Sequence, residues 1–384
     1  MKLFEHLAKE VFSRYGIPTP PGRVVSAPDE AAAVCAELGE VALKAQILSG
    51  GRGKAGGIRF AAAPDEARRQ AESLLGSEVR GLRVERLLVE KKLQIDREFY
   101  LGVAVDGSAR RPVIIASAAG GVNIEEVPEK LIVRQLVDPA WGLMPFRARQ
   151  VARRLELQGE PARQFSEILL RLYDVFCVTD AELAEINPLV LQKDGRFIAA
   201  DGRLNVDDDA LPRHPELPVV EEGSEVERRA RKAGLAYVEL DGDIAVMANG
   251  AGMAMATLDI LRHYGGRPAN FLDAGGGAGV EPMAEAIELL LSRNPKALLL
   301  NIFGGITRCD DVAKALVSVA ERRGGLDLPV VVRLAGTNEK EGLAILREHG
   351  FDAYRTMDEA AAKVVAAAGG SGAAAPGGGA VLWR

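Results

Sequence analysis

The chain has 384 residues, which exceeds what one hydrophobic core usually supports, so we expect two or more domains. A net charge of −6 disfavours a general nucleic-acid-binding protein. Cys35, Cys177 and Cys309 are widely spaced and form no Cys-x-x-Cys pair, so they indicate neither a disulfide framework nor a zinc site. This pattern fits a reducing compartment, and we expect a cytoplasmic protein.

The first residues predict a helix rather than a signal peptide. Apolar side chains recur at helical spacing over residues 2–15, with charged side chains between them. No apolar run in the sequence approaches the roughly 20 residues that span a bilayer. We therefore expect no membrane segment.

The first half of the chain alternates predicted helices with predicted strands. Helices are expected over 29–38, 64–75 and most of 146–176, the first with Asp29 as its N-cap. Strands are expected over 41–47, 58–62, 84–91, 99–105, 112–117, 183–191 and 196–201. β-rich segments flanked by helices indicate an α+β nucleotide-binding domain.

The second half has a different pattern. Residues 207–231 are polar and rich in proline, which is typical of a domain boundary. Three apolar strands then follow, at 244–247, 297–303 and 330–334, and each leads into a glycine turn. This order predicts an α/β fold with a doubly wound parallel sheet. We expect domains at 1–223 and 224–368, and a Gly/Ala-rich disordered tail at 369–384.

A glycine-rich loop at residues 49–57 directly follows a predicted strand. Glycines let backbone N–H groups approach phosphate oxygens, and Arg52 and Lys54 add positive charge. Lys44 lies within the preceding apolar strand, where a charged side chain needs a partner if it is buried. The pattern predicts a phosphate-binding loop; the alternative is a mobile hairpin loop with a surface lysine.

Carboxylates and an asparagine supply candidate magnesium ligands. Glu185 and Asn187 lie two residues apart on one predicted strand and therefore point to the same face. Asp201 ends the next strand, so a hairpin would bring it beside Asn187, and the two form a plausible two-ligand Mg²⁺ site. Glu90 and Glu98 are placed to contact a ribose or base. The alternative is that the Asn-Pro and Asp-Gly pairs are only turns.

The glycine turns of the second half precede predicted helices. Free N–H groups and the helix dipole at such helix starts suit phosphate or carboxylate, although tight turns of any α/β sheet look the same. None of the four histidines, His6, His214, His263 and His349, adjoins a glycine turn or an Asn/Asp cluster. If the reaction needs a phosphorylated histidine, we expect another chain to supply it.

Six motifs in order resemble the β subunit of succinate–CoA ligase. They lie at 44–57 (KAQILSGGRGKAGG), 185–189 (EINPL), 249–255 (NGAGMAM), 268–277 (PANFLDAGGG), 301–310 (NIFGGITRCD) and 330–336 (VVVRLAG). The resemblance implies an ATP-grasp domain followed by a flavodoxin-like ligase domain, and activity only with an α subunit that binds CoA and carries a phosphorylated histidine. The implied reversible reaction converts succinyl-CoA, phosphate and ADP to succinate, CoA and ATP.

The resemblance also implies a role for individual residues. The nucleotide, ATP or ADP, would be bound by Lys44, Gly51, Arg52, Gly53, Glu90, the backbone at Leu93, and Glu98. Mg²⁺ would be held by Asn187 and Asp201, while Glu185 would stabilise the partner's phosphohistidine and Lys44 would also serve catalysis. The acid or phosphate site would be formed by Asn249, Gly305, Ile306 and Thr307.

The sequence departs from the family pattern in places and leaves alternatives open. Leu48 stands where many members have His, segment 122–131 is short, and segment 91–99 differs from the commonest version, although no proposed ligand is lost. Pro20 matches the ADP-forming type. Malate–CoA ligase β subunits share nearly all the motifs, so malate is the alternative acid, and a nucleotide-sensing subunit without turnover is a third reading. The implied assembly is αβ or α2β2.

Overall fold

The computed structural model describes residues 1–220 and 223–369. The chain divides into two compact units, Met1–Val220 and Glu221–Arg384, which are described separately below. The tail expected at 369–384 lies outside the described residues, apart from Gly369. Within the described part, no helix is both long enough and apolar enough to cross a membrane.

The first unit contains five α-helices and twelve strands among its described residues. The helices are α1 Glu5–Arg14, α2 Pro28–Leu38, α3 Pro64–Leu74, α4 Pro145–Arg154 and α5 Gly159–Val178. The strands are β1 Gly22–Val25, β2 Val41–Ala45, β3 Ile58–Ala61, β4 Glu78–Val79, β5 Leu82–Arg83, β6 Leu87–Lys91, β7 Ile95–Asp106, β8 Arg111–Ser117, β9 Ile132–Leu136, β10 Ala181–Gln192, β11 Phe197–Ala199 and β12 Arg203–Val206.

Two antiparallel sheets with separate cores organise this unit. The smaller sheet has the order β1-β6-β2-β3, and its buried face packs against α2 and α3. The larger sheet has the order β11-β10-β7-β8-β9, with β12 also paired to β10, and it shares a core with α1, α4 and α5. Both β11 and β12 therefore pair with the long strand β10.

The start of α2 corrects one detail of the sequence analysis. Asp29 was expected as the N-cap, but the helix begins one residue earlier, at Pro28, with Ala27 in the cap position. Proline fits the first helical position because an N–H at that position would have no partner within the helix, so its loss costs no hydrogen bond. Glu30 instead reaches back to the backbone N–H groups of Ser26 and Ala27, at 2.8 and 3.3 Å.

The second unit alternates strands with helices. The helices are α6 Glu225–Lys232, α7 Ala251–His263, α8 Val280–Leu291, α9 Cys309–Arg323, α10 Glu339–Glu348 and α11 Met357–Ala367. The strands are β13 Ala236–Glu239, β14 Ile244–Ala248, β15 Asn270–Asp273, β16 Ala297–Gly304, β17 Val330–Gly336 and β18 Asp352–Tyr354.

The strands of the second unit form one sheet in the order β13-β15-β14-β16-β17-β18. All neighbouring pairs are parallel except β13 with β15, at the edge. One face packs against α6, α8, α9 and α10, and the other against α7 and α11. The predicted parallel sheet is confirmed. Because β14, β15, β16 and β17 run in the same direction, the glycine turns after them lie together at the carboxyl edge of the sheet.

A buried asparagine joins β14 to β15 where their backbones diverge. The two strands pair through the backbone only at Ala248 and Asp273. Further back, Asn270 is 1% exposed and accepts from the Val246 N–H at 3.0 Å while donating to the Val246 carbonyl at 2.7 Å. Its side-chain amide thus replaces a missing strand partner, because buried backbone polar groups need a hydrogen bond.

Candidate functional site

A polar cavity of about 380 Å³ in the first unit brings together several of the predicted residues. Residues 47–52, the last four of which belong to the glycine loop, line it, and strand β10 contributes Glu185 and Asn187. Residues 201–203, which follow β11, also line the cavity. The cavity therefore contains the loop that was predicted to bind phosphate and both predicted magnesium ligands.

The glycine loop folds back onto the end of β2. Ala45 donates to the Gly57 carbonyl and Gly57 donates to the Arg52 carbonyl, each at 2.8 Å. Gly51 has a φ of +69°, a left-handed conformation that favours glycine, and a Cβ at this position would also crowd the end of the Arg80 side chain at 3.0 Å. These contacts fix Arg52, whose Nη1 donates to the Ala45 carbonyl at 3.1 Å.

A hairpin brings Asn187 and Asp201 to one end of the cavity. Leu189 pairs with Ala199 across β10 and β11, and Ala200 donates to the Pro188 carbonyl at 3.1 Å. Asn187 accepts from the N–H of Gly121 at 2.8 Å and donates to the carbonyl of Val122 at 3.0 Å. The predicted hairpin register is thus what places Asn187 and Asp201 opposite each other.

A buried network of three cations and three carboxylates lies behind the loop, formed by Lys9, Lys44, Arg52, Glu5, Glu90 and Asp201. Lys44 Nζ lies 2.9 Å from Glu5 Oε1 and 2.9 Å from Glu90 Oε2. Arg52 Nη2 lies 2.9 Å from both oxygens of Asp201 and 2.9 Å from Glu5 Oε2. The two predicted phosphate-binding cations are therefore paired with carboxylates in this structure.

Mutual attraction keeps Glu5 and Lys44 ionised despite their burial. Burial would raise the pKa of Glu5, but Lys44, Lys9 and Arg52 hold it well below its usual value. Burial would lower the pKa of Lys44, but Glu5 and Glu90 outweigh that effect and raise it. The balance follows from the rule that opposite charges at hydrogen-bond distance favour the charged forms of both partners.

Glu185 occupies a different environment within the same cavity. Burial raises its pKa above the usual glutamate value, and the nearby Arg203 opposes this shift. The pKa of Tyr100 is raised as well, mainly by burial and then by the negative charge of Glu185. Two carboxylates that line this cavity have a shifted pKa, Glu5 and Glu185. Of these two, Glu185 holds a proton more readily.

The other predicted nucleotide contacts are more dispersed. Glu90 faces a second cavity of about 450 Å³, which Lys9 and Pro20 also line. Leu93 lies in the half-exposed connector between β6 and β7, and Glu98 is a half-buried residue of β7 whose pKa is raised by burial. Gly53 follows Arg52 in the loop but is not among the residues that line the first cavity.

The glycine turns of the second unit are joined by side-chain hydrogen bonds. Asn249 donates to the Phe303 carbonyl at 2.7 Å and accepts from the Phe303 N–H at 2.8 Å. Thr307 is buried, and its hydroxyl accepts from the N–H of Gly277 at 3.0 Å. Gly305 accepts from the Thr337 hydroxyl at 2.9 Å. The turns after β14, β15, β16 and β17 therefore form one connected edge.

This edge also exposes apolar and unpredicted polar groups. Ile306 is 84% exposed beside the buried Thr307. Asp273 lies in the motif at 268–277 but was assigned no role from the sequence, and it accepts from the N–H groups of Gly250 and Gly275 at 2.6 and 2.8 Å. Asp273 thereby fixes two of the predicted turns at once, and its place at the end of an apolar strand before Ala-Gly-Gly was the signal for it.

Glu5 and Lys9 were also missed as members of the site. Sequence reasoning treated them as charged residues between the apolar positions of a helix. Both lie on the buried face of α1, in the series Glu5, Ala8, Lys9 and Phe12, which has the spacing of one helical stripe. Two opposite charges four residues apart inside a buried stripe were the signal that could have identified them.

Whether the first cavity suits Mg²⁺ depends on the oxygen and nitrogen donors of its side chains. Within the described residues, no three His, Cys, Asp or Glu side chains come together as a metal cage. Mg²⁺ in nucleotide sites usually takes one or two protein oxygens and completes its shell with phosphate and water. The oxygens of Asn187 and Asp201 on one cavity wall fit that requirement.

Comparison with known proteins defines the class. Residues 2–191 match the family model described as an ATP-grasp domain, and residues 247–367 match the one described as CoA-ligase. The solved structure of an ATP citrate lyase from Methanothrix soehngenii, in complex with citrate and coenzyme A, superposes with a TM-score of 0.75 at 21% identity, covering 95% of this chain and 99% of that one. The fold is thus an ATP-grasp domain followed by a CoA-ligase domain, as expected.

Curated relatives narrow the class to a family. The protein named succinate–CoA ligase [ADP-forming] subunit beta of Roseiflexus sp. (strain RS-1) is 47% identical over 372 residues, 94% of this chain and 98% of its own. Its namesake from Aquifex aeolicus is 48% identical over 368 residues, 92% and 94% of the two chains. The chain belongs to the family of ADP-forming succinate–CoA ligase β subunits, and the resemblance stated from the motifs is confirmed.

Proposed function

We propose that this chain is the β subunit of an ADP-forming succinate–CoA ligase, an acid–thiol ligase that works with an α subunit. The relatives named above carry that description over nearly the whole chain. The observation that carries the proposal is the cavity in which Arg52 of the glycine loop faces Asp201 and Asn187. This set combines a cation for phosphate with oxygens for a divalent ion, as phosphoryl transfer requires.

The nucleotide, ADP or ATP, is assigned to the first unit. Lys44 and Arg52 would bind the phosphates with the N–H groups of Gly51 and Gly53, and Lys44 would remain on the phosphoryl group during transfer. Glycines allow this close backbone approach, and fixed positive charge stabilises the charge that spreads over the transferred group. Glu90, Glu98 and the backbone at Leu93 are assigned to the rest of the nucleotide.

Mg²⁺ is assigned to Asn187 and Asp201. When bound, it would neutralise charge on the nucleotide phosphates. Asp201 pairs with Arg52 here, but its side chain is 29% exposed to the cavity whereas that of Arg52 is 7% exposed. The carboxylate can therefore turn towards an ion in the cavity while the guanidinium stays in place.

The phosphoryl group is proposed to pass to a histidine of the α subunit. His6 bonds Gln46, His214 bonds Asp180 and His349 bonds the Ile345 carbonyl, while the ring of His263 meets that of Tyr264 edge-on. None of these four lines the cavity with the glycine loop. Glu185, on the cavity wall, is assigned to stabilise the incoming phosphohistidine.

The acid or phosphate is assigned to the glycine turns of the second unit. Asn249, Gly305, Ile306 and Thr307 lie on the connected edge described above, which offers helix N-termini to a carboxylate or phosphate. The α subunit would complete this site and bind CoA, in an αβ or α2β2 assembly. The balanced reaction is succinyl-CoA + phosphate + ADP = succinate + CoA + ATP.

Transfer of a labelled γ-phosphate tests the proposal. The chain is combined with an α subunit and incubated with γ-labelled ATP and Mg²⁺, and label on the α-subunit histidine is measured. Lys44→Met and Asp201→Ala should each abolish the label, because they remove a phosphate ligand and a metal ligand. Lys296→Met is the matched control, since Lys296 is 65% exposed and pairs with Asp243 in the second unit.

Two outcomes would contradict the proposal. ATP binding without any labelled histidine would favour a nucleotide-sensing subunit. Labelling followed by faster turnover of malate than of succinate would change the acid and leave the phosphoryl chemistry unchanged.

A further inference from the structure

Lys44 has no spare hydrogen-bond donor in this structure. An ammonium group has three N–H bonds. Those of Lys44 meet Glu5 Oε1 at 2.9 Å, Glu90 Oε2 at 2.9 Å and the carbonyl of Ala200. A nucleotide phosphate can therefore bind to Lys44 only if the lysine gives up one of these partners.

Lys9 duplicates the partners of Lys44. Its Nζ lies 2.9 Å from Glu5 Oε1, 2.7 and 2.8 Å from the two oxygens of Glu90, and 2.6 Å from the Ala200 carbonyl. The side chains of Glu5 and Glu90 are only 1% and 4% exposed. A carboxylate left unpaired at such depth is strongly unfavourable, and Lys9 is the cation that remains beside both when Lys44 turns away.

Glu5 has the corresponding role for Arg52. Arg52 Nη2 contacts two carboxylates that both line the first cavity, the 1% exposed Glu5 and the 29% exposed Asp201. If Asp201 moves to a metal ion, Glu5 still neutralises Arg52. The 1% exposed Glu5 is thus fixed, and the more exposed Asp201 is the carboxylate that is free to exchange.

We propose that Glu5 and Lys9 of α1 are positioning residues, a fixed counter-ion pair that lets Lys44 and Arg52 exchange carboxylate partners for nucleotide phosphate. The inference rests on the proposed function, in that the ligand is a nucleoside diphosphate bound at the glycine loop. Neither residue is assigned a contact with substrate. They act by keeping the buried charge balanced before and after the exchange.

Charge counting gives the effect of removing Lys9. The network has three cations and three carboxylates, so Lys9→Met leaves one excess negative charge. Lys44 then becomes the only lysine beside Glu5 and Glu90 and cannot leave them at low cost. We expect the dissociation constant for Mg·ADP to rise about tenfold or more, the size of one charge-assisted hydrogen bond.

Removing Glu5 should have the opposite effect on binding. Glu5→Gln leaves one excess positive charge and removes a competitor for Lys44 and Arg52, so Mg·ADP should bind at least as tightly as in the wild type. The two cations also lose the group that fixes their position, so kcat should fall. The double variant Glu5→Gln/Lys9→Met restores the charge balance and should bind Mg·ADP more tightly than Lys9→Met alone.

Calorimetric titration of the full chain with Mg·ADP, followed by kinetics with the α subunit, measures these effects. Lys296→Met is again the control, and Lys9→Arg, which keeps the charge, should weaken the binding of Mg·ADP less than Lys9→Met does. Thermal melting of each variant monitors folding. If Lys9→Met does not fold, the charge-balanced double variant is compared with Glu5→Gln, and it should bind ADP more weakly.

The outcomes separate this inference from the proposed function. A wild-type chain that does not bind ADP, or whose binding is unaffected by Lys44→Met, defeats the proposed function. If wild type and Lys44→Met behave as expected but Glu5→Gln weakens binding as much as Lys9→Met does, the two residues are merely structural and the inference is wrong. Unchanged binding and kcat in both variants would also overturn it.

Discussion

Replacement of Asn270 by leucine tests how the sheet of the second unit is held together. Leucine keeps the branched shape of the side chain but cannot bond to Val246. Both polar groups of the Val246 backbone, now bonded at 3.0 and 2.7 Å, then face the apolar interior without a partner. Each unpaired buried group costs about 1–3 kcal/mol, so we expect a loss of about 2–6 kcal/mol.

That loss is large against the total stability of a domain, which is about 5–15 kcal/mol. Urea unfolding followed by circular dichroism gives the free energy of unfolding, and hydrogen exchange reports on the Val246 amide directly. Gln150→Leu is the control, because Gln150 is an exposed amide on α4 and its loss should change stability by no more than about 0.5 kcal/mol. A loss below about 1 kcal/mol, or unchanged protection of Val246, would refute the reasoning.

Two further predictions concern the same unit. Gly336→Ala should lower the melting temperature far more than Gly324→Ala. A Cβ at Gly336 would lie 2.1 Å from the Gly304 carbonyl oxygen, whereas Gly324, which also has a positive φ, has open space around it. Equal shifts of the melting temperature would argue against the contact. Asp310→Asn should lower the free energy of unfolding at pH 7 by only about 1 kcal/mol: hydrogen bonds led by that from Lys314 hold the Asp310 pKa well below its usual value, but solvent screens the half-exposed Lys314 and Arg308. Since the folded pKa is lowered, this stabilisation is present above the unfolded pKa of about 3.9 and is lost as pH falls towards the folded one, so the two unfolding curves should converge below about pH 4.

Local patterns in the sequence predicted much of the fold. Glycines directly after apolar strands, as at Gly250 and Gly304, indicated strand-to-helix turns, and the parallel sheet follows from their repetition. The short gap between the expected strands 183–191 and 196–201 predicted the hairpin that brings Asp201 to Asn187. These features depend on residues close together in the chain, where turn chemistry and periodicity act directly.

The charge network behind the glycine loop could not be predicted in the same way. Lys44 was recognised as a buried charge that needs a partner, but its partner Glu5 is 39 residues away, and Lys9 meets Glu90 across 81 residues. Neither separation leaves a trace in local periodicity. Only the packing of α1 against the region between the two sheets shows which charges meet, and the assigned roles of the site residues stay predictions until they are measured.

The wide spacing of these contacts also affects how the protein is made. Arg52 bonds Asp201 across 149 residues, and Lys9 bonds the carbonyl of Ala200 across 191. While the chain emerges from the ribosome, Glu5, Lys9, Lys44 and Arg52 exist long before the last member of their set. Until residue 201 is translated, the three cations have only two of their three carboxylates, Glu5 and Glu90. Nucleotide binding by stalled nascent chains of increasing length should therefore report the length at which this unit folds.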